Sequence, residues 1–70
     1  MFTNESLEEE LNYLLERYHL LYWKKAGLKE LINNAQREKK HWEAIANIRM
    51  TNDMTRIIEL AHDLTETEAA

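Results

Sequence analysis

The chain has 70 residues, with no proline and a single glycine, Gly27. Proline and glycine interrupt helices more strongly than any other residue, so almost nothing in this sequence opposes helix formation. The sequence therefore predicts an all-α protein made of a few long helices. The main structural question is whether the chain turns at Gly27.

The first predicted helix covers about residues 4–26. Its apolar residues recur at helical spacing and form one broad stripe when placed at about 100° per residue. Thr3 is a candidate N-cap, and Phe2 and Leu7 are placed to form a hydrophobic staple around it. The residues of the stripe are Leu7, Leu11, Leu14, Leu15, Tyr18, Leu21 and Tyr22.

Two opposing signals surround Gly27. Lysines at 24 and 25 followed by glycine are typical of a helix C-terminus, and Leu28 is placed to fold back onto Trp23. However, the heptad spacing of apolar residues continues through Gly27, and one glycine inside a helix costs only about 1 kcal/mol. We expect a hairpin turn at Gly27 and keep two alternatives, a continuous helix and a turn at Asn33-Asn34.

A second amphipathic helix is predicted over 28–49 and a third over 52–64, the latter beginning at three capping residue types, Thr51, Asn52 and Asp53. Residues 65–70 are expected to be a frayed acidic tail. The predicted fold is thus a helical hairpin plus a short third helix, a three-helix unit in a single domain over 1–64 that assembles into a dimeric bundle. The apolar face of the second helix includes Leu28, Leu31, Ile32, Ala35, Trp42, Ile45 and Ala46.

Self-association is expected because the chain is short. Below about 70–80 residues a single core rarely supplies more than about 3–5 kcal/mol without disulfides, metals or oligomerisation. The chain has no cysteine, which leaves oligomerisation, with a dimer favoured. The absence of a long apolar stretch or a secretion signal predicts a soluble cytoplasmic protein without a membrane span.

Charge is distributed unevenly along the sequence. Residues 1–16 carry five acids and no base, residues 17–49 carry eight bases against three acids, and residues 50–70 carry one base against five acids. This layout is compatible with helix-dipole complementarity, with self-association of acidic ends and a basic middle, or with a basic patch that meets an acidic partner.

The strongest functional pointer is the back of the first helix. Tyr13, Leu20 and Trp23 fall together opposite the main apolar stripe, and tyrosine and tryptophan are typical interface anchors. The sequence thus predicts a non-enzymatic protein-binding regulator or adaptor that acts through this surface and through self-association, with a protein partner of unknown identity. The candidate partner-binding or self-association residues are Tyr13, Leu20, Trp23, Tyr18, Leu14 and Leu21.

Three alternatives stay open. In the first, helix 1 is apolar on two faces because it is the central helix of its own bundle, with the other two helices on either side. In the second, a basic patch of Arg37, Lys39, Lys40 and Arg49 makes the protein a nucleic-acid-binding helix-turn-helix-like regulator using residues 37–42. Nucleic acid is disfavoured because the net charge is −4 and phosphate binding requires positive charge. The third alternative is a structural or scaffolding oligomer.

Metal and catalytic sites are not expected. Each histidine follows a glutamate by three residues, as in di-metal helical bundles, but the pair Glu16 and His19 faces away from the apolar stripe. No phosphate loop, metal-binding histidine pair or glycine-flanked nucleophile occurs in the sequence. The sequence predicts no enzyme, no metal and no cofactor.

Overall fold

The computed structural model describes the backbone of residues 4–69 and the side chains of residues 4–67. Three α-helices are present in this range: α1 (Asn4–Arg17), α2 (Leu28–Ala44) and α3 (Ile48–Ala69). A short 3₁₀ segment (Leu21–Ala26) connects α1 to α2. All-helical architecture is therefore confirmed for the described residues. The predicted cap and staple at Thr3 and Phe2 lie outside them.

The central helix is α3. Across the described residues α1 and α2 each pack on α3, and the Cα atoms of α1 and α2 do not come within 8 Å of one another. This arrangement corrects the alternative in which helix 1 was central, and it makes α3 rather than helix 1 the main packing partner of α2. The buried core consists of Leu7, Leu11, Leu14, Leu15, Trp23, Leu31, Ala35, Met54, Ile57, Leu60, Ala61 and Leu64.

The predicted helix over 4–26 is interrupted after Arg17. His19 adopts a positive φ of 59°, and its N–H donates to the carbonyl of Glu16 while the N–H of Leu20 donates to the carbonyl of Leu15. This pair of hydrogen bonds is a Schellman motif, which ends a helix. Beyond it Leu21–Ala26 forms a 3₁₀ helix instead of continuing α1.

Burial of Trp23 accounts for the interruption. In a continuous helix Trp23 would lie opposite the apolar stripe, whereas in the structure its side chain is only 6% exposed. Burying a tryptophan removes about 150–250 Å² from water, a gain of about 4–6 kcal/mol at most. The cost of one left-handed residue is about 1–2 kcal/mol. Tertiary burial therefore outweighs helix continuity at His19.

Gly27 separates the 3₁₀ segment from α2, where the turn was expected, and Asn33-Asn34 lies inside α2. The expected hairpin of the first two helices is not formed by α1 and α2, because α1 packs on α3. The φ and ψ of Gly27 are 98° and 165°, a region that is essentially restricted to glycine. The Gly27 N–H donates to the carbonyl of Lys24, and the Gly27 carbonyl accepts from the N–H of Leu31. Gly27 therefore ends one helical segment and begins the next, although not in the left-handed helical conformation of a Schellman glycine.

The predicted second helix over 28–49 ends earlier, at Ala44. Ala46 has φ 58°, and Ala46 and Asn47 donate to the carbonyls of Glu43 and Trp42 in a second Schellman motif. The break turns Ile45 away from the core, so that its side chain is 56% exposed. This corrects the predicted position of Ile45 and Ala46 on a continuing apolar face.

The third helix is longer at both ends than the predicted 52–64. Its N-cap is Asn47, whose side-chain Oδ1 accepts the N–H of Met50 at 3.0 Å. The backbone stays helical to Ala69, where a frayed tail was expected. Threonine hydroxyls at 65 and 67 donate to the carbonyls of Ala61 and Asp63, so the tail threonines satisfy their hydrogen bonds within the helix.

Candidate functional site

The six residues predicted as a binding surface on helix 1 are divided between the core and the solvent. Leu14 and Trp23 are buried in the core, and Tyr18 and Leu20 are half-buried against it. Tyr13 is 63% exposed and Leu21 is 40% exposed. The structure therefore does not bring Tyr13, Leu20 and Trp23 together on one exposed face, because the backbone turns between α1 and the 3₁₀ segment.

Tyr22 replaces Trp23 as the exposed aromatic of this region. Its side chain is 59% exposed and its ring meets the Trp23 ring edge-on, with centroids 6.4 Å apart. We name residues 4–26 the arm, and we name the exposed side chains of Tyr13, Leu21 and Tyr22 the arm surface. The sequence pattern placed Tyr22 on the core stripe, since that pattern assumed an unbroken helix.

The 3₁₀ segment folds back beside α1 at the level of Tyr13. The Nζ of Lys24 donates to Oδ1 of Asn12 at 2.7 Å, which ties the segment to the residue next to Tyr13. On the other side, Tyr22 and Trp23 line a hollow of about 520 Å³ together with Asn34, Arg37 and Glu38 of α2. Tyr22 therefore lies beside the first half of α2, on a segment that is tied to α1 through Lys24 and Asn12.

Two polar contacts hold the arm on α3. Glu10 accepts two hydrogen bonds from Arg56, at 2.5 Å from Nε and 3.2 Å from a terminal guanidinium nitrogen. These hydrogen bonds lower the pKa of the Glu10 carboxyl and raise the pKa of Arg56. The Tyr18 hydroxyl donates to the carboxylate of Asp53. Partial burial, followed by this hydrogen bond, raises the pKa of Tyr18.

Three of the four predicted basic-patch residues lie along one groove between α2 and α3. Arg37, Lys39 and Lys40 line a space of about 490 Å³ whose floor includes Ile58 of α3. Arg49 is not part of it, since it borders a different hollow with Arg17 and Tyr18. The predicted patch is therefore a three-residue rim, with Arg49 placed elsewhere.

The groove continues toward the start of α2. A second space, of about 380 Å³, shares Asn33 with the first. It is lined by Leu28 and Ile32 of α2 and by His62 and Thr65 of α3. We name the two connected spaces the α2–α3 groove. The apolar floor of the groove was not recognised from the sequence, because Leu28, Ile32 and Ile58 occupy ordinary positions of two apolar stripes.

The groove and the arm occupy different sides of α3. The arm contacts α3 at Asp53 and Arg56, whereas the groove uses Ile58, His62 and Thr65. Arg56 and Ile58 are two positions apart, which is about 200° around a helix. A molecule bound in the groove would therefore approach from the side of α3 away from α1.

A third apolar feature lies at the corner between α2 and α3. Ile45 and Ile48 are 56% and 75% exposed, and Ile48 borders a small hollow with Glu43, Ala46 and Thr51. This exposed pair could not be recognised from the sequence, because the turn that exposes it depends on the positive φ of Ala46.

Metal ligands do not converge in the part of the chain that the structure describes, where no group of three or more histidine, aspartate or glutamate side chains could hold an ion. Among these residues, no helix has the length and apolar character needed to cross a bilayer. No protein-family model, curated protein or solved structure matches the chain.

Proposed function

We propose that this chain is a non-enzymatic protein-binding regulator or adaptor that self-associates through the arm surface. The observation that carries the proposal is the exposure of Tyr13, Leu21 and Tyr22 on one arm of an 8.4-kDa chain. Large aromatic side chains left in solvent are typical of interfaces, where they act as anchors.

The energetics of a small helical domain favour the same conclusion. A core in this size range contributes only about 3–5 kcal/mol, so a second copy that covers exposed apolar side chains adds a large fraction of the total stability. The arm surface is suited to this role because its two tyrosines combine apolar rings with hydroxyls that tolerate partial solvation. A dimer is the assembly that we propose.

Sedimentation velocity over about 10–500 µM tests the proposal. The wild type should form a dimer, and the double variant Tyr13→Lys with Tyr22→Lys should remain a monomer with unchanged helical circular dichroism. Ile45→Lys with Ile48→Lys is the matched control, since it places the same two charges on exposed apolar residues outside the arm, and it should dimerise like the wild type.

Three results would count against this function. A wild type that stays monomeric at about 500 µM contradicts self-association, because even weak interfaces associate at that concentration. If the double arm variant dimerises like the wild type, the dimer interface lies outside the arm. Assemblies larger than a dimer would indicate a structural or scaffolding role instead of a regulatory one.

A further inference from the structure

We propose that the α2–α3 groove is the docking site for an acidic amphipathic helix of a partner protein. The inference rests on the proposed protein-binding function and supplies the chemical class of the partner. It concerns a different surface from the arm, so that the two can be tested separately.

The floor of the groove has the shape and spacing that a helix requires. Leu28 and Ile32 are one helical turn apart on α2 and line one end of the groove, opposite His62 and Thr65 of α3. Ile58 of α3 lines the adjoining part of the groove. All three are half-buried and pack against the core, so each still presents apolar surface outward. A partner helix would cover this floor with apolar side chains at positions i, i+3 or i+4, and i+7.

The groove is long enough for such a helix. Its lining on α2 extends from Leu28 to Glu43, which is about 22 Å at 1.5 Å per residue, or about four helical turns. A partner segment of about 15–18 residues would fill this length. The groove is open along its side, as helix-in-groove recognition requires.

The rim selects the charge of the occupant. The four basic side chains that line the groove, Lys29, Arg37, Lys39 and Lys40, face a single acid, Glu43. The other acids of α2 are not part of the lining; Glu38 borders the hollow beside Tyr22 instead. A helix with glutamate or aspartate on the flanks of its apolar face would pair with this rim, and complementary charge favours both specificity and rapid association.

Nucleic acid fits this site less well. A floor of Leu28, Ile32 and Ile58 offers neither the aromatic stacking platform that single strands use nor polar groups for base edges. The chain as a whole has a net charge of −4, which opposes binding of a polyanion. Binding of an oligonucleotide is therefore an outcome that the test must be able to reveal.

A second copy of the chain is also a weaker occupant. Its acidic helix is α1, but the apolar residues of α1, namely Leu7, Leu11, Leu14 and Leu15, are buried in its own core. Docking α1 into the groove with its apolar face would require the fold to open. Without opening, α1 presents mainly polar side chains, and Tyr13 is its one large hydrophobic residue that is exposed.

A designed peptide pair provides the probe. One peptide has about 18 residues, with leucine at i, i+4, i+7 and i+11, glutamate at the positions that flank the leucines and alanine elsewhere to favour a helix; its partner has lysine in place of glutamate. Fluorescence anisotropy at low salt should show binding of the glutamate peptide with a Kd on the order of 100 µM and no binding of the lysine peptide.

Variants of the full chain locate the site. Lys39→Glu with Lys40→Glu should weaken binding of the glutamate peptide by at least about tenfold, because two attractive contacts become repulsive. Lys25→Glu with Arg49→Glu is the matched control, since it reverses the same number of charges at exposed basic residues outside the groove, and it should weaken binding less than about threefold. Circular dichroism verifies that each variant folds.

Several results would overturn the inference. Equal binding of the two peptides, equal weakening by the groove and control variants, or no binding at about 1 mM peptide each removes the acidic-helix partner. If the wild type binds an oligonucleotide but not the peptide, and the groove variant loses that binding, the partner is a nucleic acid instead of an acidic helix. The arm variant Tyr13→Lys with Tyr22→Lys should bind the glutamate peptide normally even as a monomer, so failure of the self-association proposal and failure of this one give different results.

Discussion

The arm and the α2–α3 pair are built from the same kind of amphipathic helix, yet they are held in different ways. α2 and α3 are joined by a three-residue turn and pack closely against each other. The arm reaches α3 through the leucines of α1 and through two polar contacts at its edge, and its 3₁₀ segment packs on α2. Its connection to α2 passes through a glycine that no other residue can easily replace.

This difference explains why the two regions present different surfaces. The arm bends at His19 and buries Trp23, and the same bend leaves Leu21 and Tyr22 in solvent, beside the exposed Tyr13 of α1. The outer side of the α2–α3 pair carries an apolar floor with a basic rim. One surface is aromatic and uncharged, and the other is basic. The two together suit an adaptor that contacts itself and a second protein.

The largest expected effect tests whether the arm is part of the same cooperative unit as α2 and α3. Leu15 is fully buried in the shared core, so Leu15→Ala should lower the free energy of unfolding by about 2–5 kcal/mol and should destabilise all helices together. Urea unfolding followed by circular dichroism measures this. Leu21→Ala, at an exposed position, should change stability by less than about 0.5 kcal/mol. If α1 alone unfolded while α2 and α3 stayed folded, the arm would not belong to the same cooperative unit.

The next effect concerns the junction between the arm and α2. Gly27→Ala should destabilise the fold by about 1–3 kcal/mol, because the region at φ 98° and ψ 165° is strongly disfavoured for residues with a Cβ. Crowding is not the cause, since nothing lies within 4 Å of the position that the Cβ would take. Thermal unfolding checks the change, and an alanine variant as stable as the wild type would contradict the conformation assigned to Gly27.

The turn between α2 and α3 predicts a change of opposite sign. Ala46 adopts φ 58°, a conformation in which glycine is preferred, so Ala46→Gly should stabilise the fold by about 1 kcal/mol. Ala44→Gly is the matched control because Ala44 ends α2 with helical geometry, and there glycine should be neutral or destabilising by up to about 1 kcal/mol. Equal effects of the two substitutions would argue against the Schellman motif at Ala46.

The smallest effect concerns the ion pair that ties the arm to α3. Its side chains are 40% and 38% exposed, so Glu10→Gln should cost only about 0.5–1 kcal/mol near neutral pH. The pKa of Glu10 is lower in the folded state, so the contribution is present above the ordinary carboxyl pKa and is lost as the pH falls through the lowered pKa. The stability difference between the wild type and Glu10→Gln should therefore vanish in acid. A difference that persists below pH 2, far under the ordinary carboxyl pKa of about 4, would exclude this linkage.

Part of the fold could be predicted from the sequence. The lack of proline and the spacing of apolar residues were sufficient for the all-helical class, and Gly27 marked one true break. The breaks at His19 and Ala46 could not be predicted in the same way, because histidine carries only a weak signal for positive φ and alanine carries none. Asn47 was a usable signal that was missed, since it is a capping residue located just before α3.

The candidate surfaces were less predictable for a related reason. Tyr13 and Leu21 were expected on a binding surface and are exposed, but Trp23 and Tyr22 exchanged places once the first helix broke. Arg37, Lys39 and Lys40 were identified as a basic patch, but the floor beneath them depends on how α3 packs. A pattern along one helix cannot show which side of a second helix will lie beside it.

One measurement tests the central claim that the arm and the groove are separate binding surfaces. Backbone amide NMR spectra would be recorded over a dilution series and then on adding the glutamate peptide. We predict that dilution shifts the amides of residues 12–23 and leaves those of 39–43 and 58–65 unchanged, and that the peptide shifts the amides of 39–43 and 58–65 and leaves those of 12–23 unchanged. Shifts that fall on the same residues in both experiments, or outside both surfaces, would contradict the account.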